Sequence, residues 1–448
     1  MKTIKIVLGS LLSLLLIVVL ILWLKPPELL RIGANYAAKI VCSNVFLAGR
    51  DPEEVLRDDV QAPGIAIMRY LKVSVDRNTD VVRAGFFGFI GKGLAVARPD
   101  LGCTVVPDGD LSFTKAAVSG STAKIPTPAV PEALTAQLWP EGEGAAANAQ
   151  IEHALADDKL IGPGMRAVLV VDHGRITAER YGAGFSAKTP LLGWSMSKTV
   201  MAGLIGMLVK DGKLALDQAG FWPAGDPRAK IRVADLLAMS SGLHFNESYG
   251  AVSDVTSMLY LRPDMAAFAH DQPLDHPIGE AWSYSSGTAV LLSRIMQDAA
   301  GVSSADFALQ RLFKPLSMHS ATMEADEHGT LVGSSYMYAT ARDWARYGQF
   351  LVQDGVWNGQ RLLPEGYVAM MTTPVKASGG EYGMGQTWLF TATDAVGLPA
   401  DTFYLSGHDG QTMAVIPSRQ LVIVRLGLTP SDTGYSPQPL IKAVLAAI

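Results

Sequence analysis

Leu191-Leu192-Gly193-Trp194-Ser195-Met196-Ser197-Lys198 is the stretch on which the reading of this chain turns. The apolar run 200–209 follows it, and the pattern predicts a helix that opens at the serine. Positions i and i+3 share one face of a helix, so Lys198 can aim its amine at the Ser195 hydroxyl. The unpaired amides of a first turn and the helix dipole favour the negative oxygen that forms during acyl transfer. A lysine in a partly desolvated site has its charged form disfavoured and can accept the serine proton. Taken alone, Ser-x-x-Lys also describes an ordinary helix start.

Working outward, residues 193–197 approach the Gly-x-Ser-x-Gly elbow of α/β-hydrolases, with His408 downstream as a triad base. The fifth residue is Ser197 rather than glycine, and no strand–helix alternation surrounds it. Other pieces arrive in a different order. Trp282-Ser283-Tyr284-Ser285-Ser286 precedes a helix expected over 288–301, and Gly407-His408-Asp409-Gly410-Gln411 leads into a C-terminal hairpin. Between them lie the stretch 230–243, with Asp235-Leu236-Leu237 and Ser241-Gly242-Leu243, and the helical stretch 338–348. With these elements the chain resembles the serine β-lactamase/penicillin-binding-protein superfamily, in its class C-like branch. That branch includes carboxylesterases, D-aminopeptidases and 6-aminohexanoate-dimer hydrolase. The resemblance covers roughly 150–448, and the segment before it is not covered.

The resemblance implies a role for each matching residue. Ser195 is the nucleophile and Lys198 its proton-accepting neighbour. Tyr284 matches the tyrosine of the family's Tyr-x-Asn element. Beside an ammonium its phenolate is favoured, so it can take the serine proton and later return one to the leaving group. Read without the motif, Tyr284 is a buried tyrosine with a satisfied hydroxyl. Gly410 and Gln411 match the end of the Lys-Thr-Gly strand and the residue after it. The backbone amides of Ser195 and Gln411 then form the oxyanion hole, worth ~3 kcal/mol per donor. On the substrate side stand Ser286, His408, Gly410 and Tyr249, the last resembling a tyrosine of 6-aminohexanoate-dimer hydrolase and equally readable as packing. Two departures narrow the substrate. Ser286 replaces the asparagine of Tyr-x-Asn, and His408 replaces the lysine that holds an anionic carboxylate; an imidazole is a weaker anchor near neutral pH. Both favour esterase, amidase or peptidase activity over β-lactam hydrolysis. His173 reads as a solvated turn residue.

The fold class expected is α+β, β-lactamase-like, an antiparallel sheet flanked by helices. Strands are predicted over 166–171 and 175–181 and again over 412–416 and 421–426, with helices over 198–212, 233–239, 288–301, 340–354 and 437–448. The hydrolase domain is expected over 148–448. A small β-containing extension is expected over 26–118, and a linker or strap over 119–147, punctuated by Pro126, Pro128, Pro131 and Pro140.

The N-terminus carries a separate signal. Lys2 and Lys5 precede an uncharged run over 6–24 that ends at Lys25-Pro26-Pro27. As a helix it spans roughly 28 Å, close to a hydrocarbon core of ~30 Å. No small-x-small cleavage site follows Leu24, so an uncleaved anchor (1–25) is expected rather than a cleaved signal. Positive charges on its two sides nearly balance. Cys42 and Cys103 are the only cysteines, and an even pair fits a disulfide in an oxidising compartment; two separate buried thiols remain the other reading. The body is therefore expected on the periplasmic or extracellular side of the membrane.

Composition sets the remaining bounds. Apolar residues make up 49% and charged residues 18% of the 448, which supports a sizeable core and excludes a disordered chain. The net charge of −5 offers no basic surface for nucleic acid. No metal- or nucleotide-binding motif occurs, so no cofactor is expected. The functional expectation is an ester or amide hydrolase working through an acyl-enzyme on a small-molecule or peptide-like substrate. The competing reading is a catalytically idle ligand- or peptidoglycan-binding module, which has no need of Ser195, Lys198 and Tyr284 together.

Overall fold

The structure is a computed structural model that describes residues 2–112 and 137–448. Pro126, Pro128 and Pro131 of the expected linker lie outside the described residues. The chain divides into two compact units. The first takes 2–112 together with Glu247–Pro263, and the second takes 137–246 and Asp264–Ile448. The segment Glu247–Pro263 thus departs from the expected 148–448 boundary.

In the first unit, α1 (Lys2–Leu24) is uncharged from Ile6 onward, with a mean hydropathy of 3.0 over its most apolar stretch, none of which is buried. Pro26 and Pro27 end it, because proline supplies no amide to continue the ladder. Next, α2 (Glu28–Phe46) packs along one face of a four-stranded antiparallel sheet, β1 (Leu71–Asp76), β2 (Val81–Phe86), β3 (Ile90–Arg98) and β4 (Gly102–Val105), in that order. The helix and sheet approach so closely that a Cβ on Gly93 would lie 2.1 Å from the Ala34 carbonyl oxygen. Asn35, 1% exposed, donates to the Tyr260 carbonyl at 2.8 Å and accepts from the Leu94 amide at 3.1 Å. It thereby ties α2 to β3 and to the helix Asp254–Leu261. Cys42 on α2 and Cys103 on β4 form a disulfide, with Cα atoms 6.0 Å apart. Reading 26–118 as a small β-containing extension catches the strands but not α2. The reason is physical: α2 is buried nearly all round from Ile32 to Val45, so it lacks the polar face that reveals a surface helix.

The second unit is built on a seven-stranded antiparallel sheet. Its members are β5 (Met165–Asp172), β6 (Arg175–Tyr181), β10 (Tyr382–Gly383), β11 (Thr387–Leu389), β12 (Phe403–Gly407), β13 (Gln411–Ile416) and β14 (Leu421–Gly427), in the order β10-β11-β12-β13-β14-β5-β6. The first and last parts of the unit meet where β14 pairs with β5, Ile423 opposite Val170. One face is covered by α3 (Ala149–Ala156) and α7 (Gln438–Ala446), whose Ile151, Leu155, Leu440 and Val444 join Val168, Val170 and Ile423 in one core. On the other face lies α6 (Ala341–Val352), where a Cβ on Gly348 would stand 2.5 Å from Val422. Beyond it are α4 (Met196–Lys210) and α5 (Ser286–Ala300). A smaller sheet joins β7 (Leu191–Leu192), β8 (Thr322–Met323) and β9 (Met337–Ala339) in the order β7-β9-β8. The architecture is α+β with antiparallel sheets between helices. The described end of the 119–147 stretch is packed rather than loose. Trp139 is fully buried under the Arg346 guanidinium, 5.5 Å from its ring centroid, and Arg342 pairs with Glu143.

Candidate active site

Ser195 is the N-cap of α4, half-buried, at the end of the turn that follows β7. The turn is tight. Trp194 adopts φ +48°, a left-handed backbone that costs a non-glycine residue on the order of 1 kcal/mol. A Cβ on Gly193 would stand 2.2 Å from the Trp344 ring, so only glycine fits there. Trp344 belongs to α6, whose indole therefore sets how close the nucleophile turn approaches. The Ser195 backbone amide has no hydrogen-bond partner among the described residues. It is one of the orphan donors of a helix start, facing where negative charge is best accommodated.

Lys198 is 1% exposed, and its Nζ donates to three oxygens: Ser195 Oγ at 3.0 Å, Ser286 Oγ at 3.1 Å and the Ser334 carbonyl at 2.9 Å. The same Nζ lies 4.6 Å from the centroid of the Tyr284 ring. Tyr284 and Ser286 come from the start of α5, where Ser285 caps the helix by accepting from the Thr288 amide at 3.0 Å. Ser286 itself is fully buried, and its hydroxyl is turned to the lysine. The structure thus brings Ser195, Lys198, Tyr284 and Ser286 together.

The strand side of the site is built by β12 and β13. A Cβ on Gly407 would lie 2.2 Å from the Gly193 carbonyl, so the end of β12 touches the Ser195 turn through bare backbone. His408 is 49% exposed and sits edge-on to Trp194, ring centroids 5.6 Å apart. The Gln411 side chain does not face outward. Its Nε2 donates to the His408, Asp409 and Gly427 carbonyls, and its Oε1 accepts from the Gly427 amide at 2.8 Å. Arg425, fully buried on β14, holds the Gly410 carbonyl at 3.0 Å and the Pro163 carbonyl at 2.9 Å. Burial lowers its pKa, yet four oxygen acceptors and the Tyr435 ring retain the cation.

Sequence reasoning missed several residues here. Arg425 and Gln411's side chain clamp the 408–410 turn, and nothing in the motif marks either role. Ser334 contributes a backbone carbonyl, which carries no sequence signature. Around Tyr284 stands an aromatic group of Trp282, Tyr382 and Trp388, with Trp388 at 5.6 Å from Tyr284 and 5.1 Å from Tyr382. Trp282 Nε1 and both side-chain amide atoms of Gln386 are buried without a hydrogen-bond partner among the described residues. Gln386 is tied to α4 by its carbonyl, which accepts from Thr199 Oγ1 at 2.6 Å. Tyr249 falls in the first unit, within Glu247–Pro263, 38% exposed. His173 is an exposed turn residue. Among the described residues no group of three or more His, Cys, Asp or Glu is arranged to hold a metal.

A half-buried serine at a helix start, with a buried lysine on its hydroxyl and a tyrosine ring against that lysine, defines the class. The chain belongs to the Beta-lactamase family, whose model matches residues 157–435. This is a serine hydrolase superfamily with amidase and esterase members. Among characterised relatives, the 6-aminohexanoate-dimer hydrolase of Paenarthrobacter ureafaciens is 26% identical over 296 residues, 60% of this chain and 74% of that protein. Two solved structures share the fold. A family VIII carboxylesterase superposes with a TM-score of 0.55 at 17% identity, covering 67% of this chain and 97% of that one. A penicillin-binding protein homolog from Caulobacter crescentus gives 0.54 at 17% identity, with the same coverage.

Proposed function

We propose that the protein is a membrane-anchored serine hydrolase that cleaves an ester or amide through an acyl-enzyme on Ser195. The observation that carries this is the reach of Lys198 Nζ to Ser195 Oγ at 3.0 Å, with the Tyr284 ring 4.6 Å away. In this reading Tyr284 and Lys198 act as the acid/base pair. The serine oxygen attacks the substrate carbonyl as its proton passes to the tyrosine, and the Lys198 ammonium stabilises the phenolate side of that exchange. The orphan amide of Ser195 and the amide of Gln411 bind the oxyanion. Tyr284 then protonates the leaving group, and water attacks the acyl-enzyme by the reverse proton path.

Gly410 and the exposed His408 line the strand side, where an anionic carboxylate finds no lysine. Ser286, turned to Lys198, serves as that lysine's partner and places a hydroxyl where the family carries an amide. With the aromatic group around Tyr284, this favours a small or peptide-like ester or amide with an apolar portion over a β-lactam. Tyr249 is kept as a candidate substrate contact on its resemblance to a tyrosine of 6-aminohexanoate-dimer hydrolase alone. The length and hydropathy of α1 support an anchor, and the disulfide supports an oxidising periplasmic or extracellular location for the body.

The test is covalent. A fluorophosphonate probe applied to the full chain should label Ser195, located by peptide mass spectrometry. Ser195→Ala should abolish labelling, while Lys198→Ala and Tyr284→Phe should each slow turnover of a p-nitrophenyl ester at least a hundredfold. Label that survives Ser195→Ala would sink the mechanism.

A further inference from the structure

We propose that the outer face of the β1–β4 sheet is a lipid-docking surface that takes anionic phospholipid headgroups between Lys72, Arg83 and Lys92. The proposal rests on the reading of α1 as a membrane anchor. The sheet has one face on α2; the opposite face presents Lys72, Ser74 and Arg83, all exposed, with Ser74 and Arg83 directly cross-strand. Lys92, also exposed, and Leu94 complete a cavity of about 430 Å³ that Phe89 also lines. Among the described residues three cations line it and no carboxylate does. Asp108 and Asp110, which flank the lining residue Gly109, are turned back on their own loop: Asp108 accepts from the Asp110 amide, and Asp110 from the Ser112 amide and hydroxyl.

Three observations within this unit point to a bilayer rather than to a soluble anion. First, Lys92 Nζ lies 4.6 Å from the centroid of the Trp23 ring, so a cation of the groove touches the last turn of the apolar helix. That is the depth at which tryptophan and lysine gather at a membrane interface. Second, the turn between β2 and β3 displays Phe87 at 59% and Phe89 at 43% exposure. Tyr70 stacks on Phe87 at 5.0 Å, and Ile65 and Ile67 are exposed nearby in sequence. Apolar rings beside basic side chains are the composition of an interfacial surface. Third, the sheet is polarised. At its opposite end, one strand length or about 20 Å from the aromatic turn, the β1–β2 turn carries Asp76 and Asp80 beside Arg77. With the aromatic turn on the lipid, that acidic turn is held away from an anionic surface.

Both native cysteines are in the disulfide, so an environment-sensitive thiol fluorophore reports only on an introduced cysteine. Full-length Ser13→Cys, Phe89→Cys and Asn78→Cys variants would be reconstituted into vesicles of phosphatidylcholine with 30% phosphatidylglycerol, and into phosphatidylcholine alone. The expected result is a label at 13 quenched by mid-bilayer quenchers, and a label at 89 quenched by headgroup-level quenchers at least fivefold more than one at 78. The label at 89 should lose at least half of that quenching in phosphatidylcholine alone, or when Lys72, Arg83 and Lys92 are each changed to Glu. A shielded label at 13 with labels at 89 and 78 equally open to aqueous iodide would overturn the docking surface while leaving the anchor standing. A label at 13 open to iodide would overturn anchor and docking together. Equal quenching at 89 in both lipids would overturn the headgroup site.

Discussion

A lysine amine that is 1% exposed and surrounded by three oxygen acceptors is held in place from three directions: its own helix, the start of α5 and the Ser334 backbone. Ser286, where the resemblance expects an asparagine, keeps an oxygen on this lysine at 3.1 Å and carries no amide donor. Spacing along one helix made Ser195 and Lys198 legible in sequence; the Ser334 carbonyl was not, since any residue type supplies one. Asp326 shows the same dependence on surroundings away from the site. It is 1% exposed, and burial first, then the Asp264 charge, pushes its carboxyl up to about 6, although the Met265 and Thr330 amides and Arg294 pull it down. A folded-state pKa above the unfolded value of ~3.9 means the native state binds the proton more tightly. The stability from this group is therefore full below about pH 4 and is lost as pH rises toward 6. Comparing urea unfolding of wild type and Asp326→Asn, the wild-type advantage should fall by roughly 2 kcal/mol between pH 4 and pH 7. A difference that does not change with pH would assign the burial of Asp326 no titration effect.

At the scale of elements, the site is a meeting of backbone ends. The turn into α4 and the end of β12 converge because Gly193 and Gly407 lack side chains, and Lys198 ties the start of α5 to them through Ser286. The Gly193 carbonyl that a Cβ on Gly407 would strike also accepts from the Met196 amide at 3.2 Å, at the first turn of α4. Gly407→Ala must push either the strand or the nucleophile turn aside. A displacement of order 1 Å at a reacting group costs on the order of a hundredfold. We expect kcat/KM on an ester substrate to fall by about that factor, with a lower melting temperature; unchanged kinetics would show that the strand end and the turn are not coupled. Most elements of the second unit were legible, since β5, β6, β13 and β14 carry apolar runs bounded by turn residues such as His173-Gly174 and Pro417-Ser418. By contrast β10 and β11, at two and three residues, are too short to show a period.

At the scale of the whole molecule there are two units, and each is closed by contacts between distant residues. The Cys42–Cys103 bond spans a sequence separation of 61, and chain-entropy arguments put its contribution to the first unit at about 4 kcal/mol. Unfolding of the full chain in urea should show a transition that moves to clearly lower denaturant with Cys42→Ser and Cys103→Ser together. An unchanged transition would mean that α2 and β4 are held by packing alone. The sequence by itself determined the β5–β6 and β13–β14 hairpins, the helices α4 to α7, Ser195 and Lys198 at helical spacing, Tyr284 before α5 and an apolar N-terminal helix, because all of these are written in local periodicity and short motifs. Only the tertiary structure decided that α2 is a helix buried on both sides, that Glu247–Pro263 packs with the first unit, that Gln411 and Arg425 clamp the 408–410 turn, and that Lys72, Arg83 and Lys92 share one face beside Trp23. Those facts depend on which residues far apart in the chain lose water together, and local pattern records only the face an element turns to solvent.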